Sequence, residues 1–196
     1  MLGLKMATDP RWVNIVEKNL EEILVDHAFC EQKAASNAIS MIVQYPQYPD
    51  LVSAMVEICK EELEHFDMVH KKILDRGLTM GFERKDPYVK DLNTYLKGNL
   101  DNSSRESYFV NQMLFAAMIE ARSCERFKIL SEQLKDTDLR EFYRMLMKSE
   151  ARHFMTFLKF AKKYSKSIDV DKRWQTFLDF EAGLMEKYGK EQSVHG

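Results

Sequence analysis

No two cysteines in this chain are close enough to form a Cys-x-x-Cys pair: Cys30, Cys59 and Cys124 are an odd number and far apart. That spacing excludes a disulfide framework and a thiolate metal cluster, and it suits a reducing cytoplasm. No apolar run approaches the roughly 18 residues that a membrane span needs, and the N-terminal stretch lacks a basic-then-apolar signal pattern. The expectation is a soluble, cytoplasmic protein with no membrane association. An excess of charge is also missing. A net charge of −2 gives no general attraction for nucleic acid, so any such binding must come from a local patch. There is no Gly-rich phosphate loop and no nucleophile elbow. Seven glycines and four prolines in 196 residues point to a mostly helical chain, of a length that fits one domain (1–196) better than two.

What is present is helical periodicity. Asp9-Pro10 starts a helix expected over about 10–44, with a stripe of Trp12, Ile15, Ile23, His27, Glu31, Ala34, Ala38 and Met41. Pro49-Asp50 opens a second, about 50–76, which closes at Gly77. Residues 77–104 read as a long connection containing a short helix from about Pro87 to Leu96. Asn102-Ser103-Ser104 offers N-cap chemistry for a third long helix, about 104–134, and a fourth follows over about 138–164. A fifth, about 171–188, should lie across the others, and the tail after Gly189 is expected to fray. Long helices joined short, long, short give an all-α fold. The topology is ferritin-like, a four-helix bundle with one long crossover and an additional C-terminal helix.

The stripes are interrupted by charge. On the second helix Met55, Ile58, Val69 and Ile73 share a face with Glu62 and His65; on the fourth, Leu146 and Phe157 share one with Glu150 and His153. Residues three apart lie on one side of a helix, so each Glu-x-x-His can hold one metal ion. Glu31 and Glu120 interrupt the stripes of the other two long helices and complete a set of four Glu and two His. Glu125 competes with Glu120, but five residues correspond to about 140° of helix rotation, and only Glu120 continues the apolar stripe. Burying such groups costs several kcal/mol unless they are paired, and a metal satisfies all of them at once; the alternative is buried ion pairs without metal. Imidazole with carboxylate suits iron or manganese.

His27, one turn before Glu31, is a candidate hydrogen-bond partner for that ligand or, equally, a satisfied core histidine. Lys33, Arg84, Lys85, Arg122, Arg126 and Arg152 are candidates for a phosphate-binding rim, against the plainer reading of a solvated face. The cysteines and the many Met and Phe read as core.

Four stretches carry a resemblance: Asp26-His27-Ala28 with Glu31-Gln32-Lys33-Ala34-Ala35, Glu61-Glu62-Leu63-Glu64-His65-Phe66, Ile119-Glu120-Ala121-Arg122-Ser123-Cys124-Glu125-Arg126-Phe127, and Ser149-Glu150-Ala151-Arg152-His153-Phe154. Together they resemble the tRNA 2-methylthio-isopentenyl-adenosine hydroxylase family over about Arg11 to Tyr188. The resemblance implies a non-haem di-iron monooxygenase that hydroxylates the isopentenyl group of the modified adenosine beside the anticodon. Glu31, Glu62, His65, Glu120, Glu150 and His153 carry over as ligands of two iron ions, with dioxygen as co-substrate. The chain carries no flavin motif or iron–sulfur cysteine cluster, so an external reductase or ferredoxin must supply electrons. A monomer or small homo-oligomer is expected. A ferritin-like protein that oxidises or stores iron, or detoxifies peroxide, is the alternative.

Overall fold

The computed structural model describes residues 2–189 and 193–195. Among the described residues are seven α-helices and no strand: α1 (Trp12–Lys18), α2 (Leu20–Gln44), α3 (Pro49–Asp75), α4 (Pro87–Gly98), α5 (Arg105–Gln133), α6 (Thr137–Tyr164) and α7 (Val170–Tyr188). They fall into two compact units. One contains α2 and α3, spanning Lys18–Lys85 together with Ser193 and Val194; the other contains residues 2–17, the chain from Asp86 through α7, and His195.

In the first unit α2 and α3 are antiparallel partners across a short turn. Pro49 opens α3 and Asp50 follows in its first turn, where a fixed φ and a negative charge suit the N-terminus. The buried positions of α3 are Leu51, Met55, Ile58, Glu62, His65, Val69 and Ile73, at spacings of three and four. They form one stripe, and each apolar member contributes roughly 1.5–3 kcal/mol by leaving water. The helix ends where Gly77 takes φ +66°. The Gly77 amide bonds to the Leu74 carbonyl at 2.9 Å and the Leu78 amide to the Ile73 carbonyl at 3.1 Å, which satisfies two terminal carbonyls.

Beyond Gly77 the chain runs as a strap along α2. The amide and hydroxyl of Thr79 both donate to Glu21 Oε1 at 3.2 Å. A Cβ placed on Gly81 would meet Val25 Cγ1 at 3.7 Å, and Glu83 pairs with Lys33 at 2.9 Å.

In the second unit α5 is the central helix, with α6 along it and α4 and α7 packed on it and on each other. From Glu120 to Phe127 every residue of α5 is buried. The starts of α4, α5, α6 and α7 are each capped by a side-chain oxygen on a backbone amide: Asp86 on Val89 at 3.0 Å, Ser104 on Ser107 at 3.0 Å, Asp136 on Leu139 at 3.1 Å and Asp169 on Lys172 at 2.9 Å. Such a cap is worth about 1 kcal/mol. The turn after α6 is held by Glu106, which accepts from the amides of Lys166 at 2.6 Å and Ser167 at 2.7 Å. Those amide bonds lower its pKa to about 2.

Two expectations about helix extent need correction. The single helix over about 10–44 is broken at Asn19, which leaves the helical region at φ −129° and ψ 43°. The break falls where the chain passes from one unit to the other: the indole of Trp12 lies 4.2 Å under the Arg126 guanidinium, and Glu17 accepts from the Lys135 ammonium at 2.7 Å, both within the α5 unit. The expected fraying of the tail after Gly189 falls partly on 190–192 and 196, outside the described residues. Ser193, Val194 and His195, in contrast, are buried. The Val194 amide donates to Asp26 Oδ2 at 2.7 Å. In its own unit His195 stacks on Tyr88, with Nδ1 3.2 Å from Asp86 Oδ2 and Nε2 3.2 Å from Ser123 Oγ.

Candidate metal centre

Each unit carries its own set of three metal-type donors. In the α2–α3 unit Glu62 and His65 lie one turn apart on the buried stripe of α3, and Glu31 reaches them from α2. One ligand atom from each of the three lies within 4.8 Å of the others. His65 Nδ1 is 3.2 Å from Glu62 Oε2 and 3.6 Å from Glu31 Oε2. In the α5–α6 unit Glu120, Glu150 and His153 are all buried, and their ligand atoms likewise lie within 4.8 Å of one another.

The chemistry of these donors fits iron. Each triplet is two carboxylates and one imidazole with no thiolate, a set that suits iron or manganese rather than structural zinc. With a neutral imidazole it carries two negative charges, which one divalent ion balances in a setting where uncompensated charge is costly. Sulfur plays no part. The Cys124 thiol donates to the Met147 carbonyl at 3.3 Å, and burial, reinforced by Glu150 and Glu125, raises its pKa to about 11, so it remains a thiol.

His27 supports the first triplet. It is fully buried, and its Nε2 lies 2.7 Å from Glu31 Oε1, one turn along α2. A carboxylate only accepts, so Nε2 carries the proton and donates. That bond orients the carboxylate and leaves its other oxygen on the His65 side.

Glu125, which competes with Glu120 in the sequence, is engaged elsewhere. Its carboxylate accepts from the Thr8 amide at 3.0 Å, the Thr8 hydroxyl at 2.6 Å and Arg122 Nη1 at 2.9 Å. The proposed phosphate rim also divides. Arg84, Lys85 and Arg152 are exposed and Lys33 is half-buried, but Arg122 and Arg126 are both 0% exposed and stand in no position to meet a phosphate in solvent. Arg122 donates through Nε and Nη2 to Glu181 Oε1 at 2.8 and 2.6 Å, and Tyr88 adds a bond to the same oxygen at 3.1 Å. Burial works against the charge of Arg122, but Glu181, Tyr88 and Glu125 outweigh it and raise its pKa. Arg126 sits on Trp12 and donates to the Gly189 carbonyl at 3.2 Å, and burial together with Arg122 brings its pKa down to about 10. The sequence carries no local signal for this: Glu125, Arg122 and Arg126 fall on one arc of the helix and read as a solvated face.

No helix among the described residues is long and apolar enough to cross a membrane. A solved structure described as a protein with aldehyde deformylating oxygenase activity from Synechococcus superposes with a TM-score of 0.89 and 31% identity, over 98% of this chain and 95% of that one. The fold is therefore all-α and ferritin-like. Two curated relatives are similar over nearly the whole chain, each named tRNA 2-(methylsulfanyl)-N(6)-isopentenyladenosine(37) hydroxylase. The one from Pseudomonas putida is 32% identical over 98% of this chain and 91% of its own length. The one from Salmonella typhimurium is 30% identical over 91% of this chain and 81% of its own. The family model described as tRNA-(MS[2]IO[6]A)-hydroxylase (MiaE) matches residues 2–196. The chain belongs to that family, whose members are tRNA-modifying monooxygenases.

Proposed function

We propose that Glu31, Glu62, His65, Glu120, Glu150 and His153 hold two iron ions, and that the protein hydroxylates the isopentenyl group of 2-methylthio-isopentenyl-adenosine beside the anticodon. Dioxygen is the co-substrate, and electrons come from a separate reductase or ferredoxin. The observation that carries this reading is the family match over residues 2–196, with relatives named for that nucleoside. The two buried Glu, Glu, His triplets support it, because breaking a strong C–H bond lies beyond any amino-acid side chain. Iron bound there would supply the activation of dioxygen. The chain's own part is to hold the ligands, through bonds such as His27 to Glu31, and to keep water from the reacting carbon by burial.

The test is nucleoside mass spectrometry of tRNA from a host that makes the methylthio-isopentenyl nucleoside but cannot hydroxylate it. Expression of this protein should add one oxygen atom to that nucleoside, and Glu120→Ala should abolish the gain while leaving the helical circular dichroism unchanged. No gain, in protein carrying two irons and supplied with a competent electron donor, would refute the substrate assignment.

A second reading has one observation in its favour: the solved relative at 31% identity is described by its activity on an aldehyde. If this chain shared that activity, it would consume an aldehyde under the same reducing conditions. Aldehyde turnover without tRNA hydroxylation would replace the first reading with this one. Oxidation of excess iron with neither organic substrate would point instead to an iron-handling protein.

A further inference from the structure

Phe82 is 96% exposed, more than any other large hydrophobic residue described. An aromatic ring in water forfeits roughly the 1.5–3 kcal/mol that burial would return, and here no neighbour covers it. It stands in the strap that leaves α3 and runs along α2, and the strap is fixed on both sides of it. Gly81 lies over Val25, and Glu83 is paired with Lys33 at 2.9 Å. Those two anchors are eight residues apart on α2, about 12 Å of helix. Between them lie His27 and Glu31, the supporting histidine and the candidate ligand it bonds. The ring is thus held alongside the α2 turn that carries Glu31. Two cations follow at once, Arg84 and Lys85, both exposed. Glu83, the one acid in the run 82–85, is paired with Lys33, and the run itself carries two cations against that one acid on a chain whose total is −2.

An exposed ring beside two cations is the composition that binds unpaired nucleic acid: every base has a face to stack on an aromatic, and the phosphates take the cations. A protein-docking site would instead show a contiguous apolar patch, and Phe82 is followed along the chain by three charged residues, Glu83, Arg84 and Lys85. We infer that Phe82, Arg84 and Lys85 form a contact for an unpaired stretch of RNA, with the ring stacking on a base close to the nucleotide that enters the site. This inference rests on the tRNA reading and adds the residues that would take hold of the loop.

The experiment is fluorescence anisotropy of the iron-loaded, full-length protein with an anticodon stem-loop RNA that carries the methylthio-isopentenyl adenosine, at several salt concentrations. A fully paired hairpin of equal length serves as control. Phe82→Ala should weaken stem-loop binding about tenfold, leave the salt slope and the paired hairpin unchanged, and be rescued by Phe82→Trp. The double variant Arg84→Gln with Lys85→Gln should instead reduce the salt slope by between about 1 and 2. Because all three side chains are exposed, the unfolding midpoint of each variant should match that of the parent.

Stem-loop affinity unaltered by Phe82→Ala would overturn this inference while leaving the tRNA reading standing. Failure of the parent protein to bind the stem-loop at all would overturn both. Unchanged RNA affinity with a loss of turnover only when a protein donor supplies the electrons would assign the loop to that donor, and would likewise overturn the inference.

Discussion

His27 and Glu31 sit one turn apart on α2, with the imidazole Nε2 2.7 Å from the carboxylate Oε1 and both side chains buried. The histidine therefore acts on the carboxylate that a metal would use, and its loss should be felt as metal affinity before it is felt as fold. His27→Ala is expected to weaken ferrous binding at this half by about ten- to a hundredfold, as removal of partners behind metal ligands generally does. Chelator competition measures it, and unchanged affinity would make His27 a packing residue only.

The Arg122–Glu181 pair leads to a prediction about stability. Glu181→Ala leaves a fully buried guanidinium without its main partner, which should cost about 3–5 kcal/mol. Replacing both residues, Arg122→Met with Glu181→Leu, should recover part of that loss, since it removes the uncompensated guanidinium while Tyr88 and Glu125 each lose one bond. Urea unfolding of the single and double variants separates the two costs. A single variant within about 1 kcal/mol of the parent would show that Arg122 finds another partner.

Glu106 predicts a pH dependence with a defined sign. Its pKa is lowered from 4.5 to about 2 by amides it accepts from only when folded, so the contribution of this contact is fully present above about pH 4.5. It is lost as pH falls from there toward about 2, and the turn at 165–168 should release from the start of α5 in that window. An NMR titration of the Glu106 carboxyl should show a midpoint near 2, and a midpoint in the ordinary glutamate range would contradict the bonds to Lys166 and Ser167.

Gly77 offers a test confined to the backbone. At φ +66° an L side chain is strained, and nothing lies within 4 Å of where a Cβ would stand, so crowding plays no part. Gly77→Ala should destabilise the protein by about 1 kcal/mol, through conformation alone. Thermal unfolding checks it.

The parts of this protein that could be read in its sequence are those with one buried face. On α3 the run Leu51, Met55, Ile58, Glu62, His65, Val69, Ile73 keeps one period from end to end, so a charged residue on it declares itself. The α6 stripe behaves in the same way around Glu150 and His153. On α5 this reasoning fails. Arg122 and Arg126 look like surface residues because they are charged, yet α4, α6, α7 and the N-terminal segment leave α5 no outer face there. Their partners, Glu181 and the Gly189 carbonyl, lie 59 and 63 residues further along, a pairing that no local pattern encodes. Asn19 and His195 escaped for the same reason. The break at one and the burial of the other depend on which unit each neighbouring segment joins, and period alone carries no information about that.

Within each unit the three donors come from one helical hairpin, Glu31 to His65 in α2–α3 and Glu120 to His153 in α5–α6. Each triplet is therefore written in a single uninterrupted stretch of coding sequence. Duplicating that stretch would duplicate a full complement of candidate ligands in the same order and at the same spacing. An architecture of this kind is open to inheritance by repetition, and after duplication the two copies would be free to diverge in everything except the turns that carry those donors.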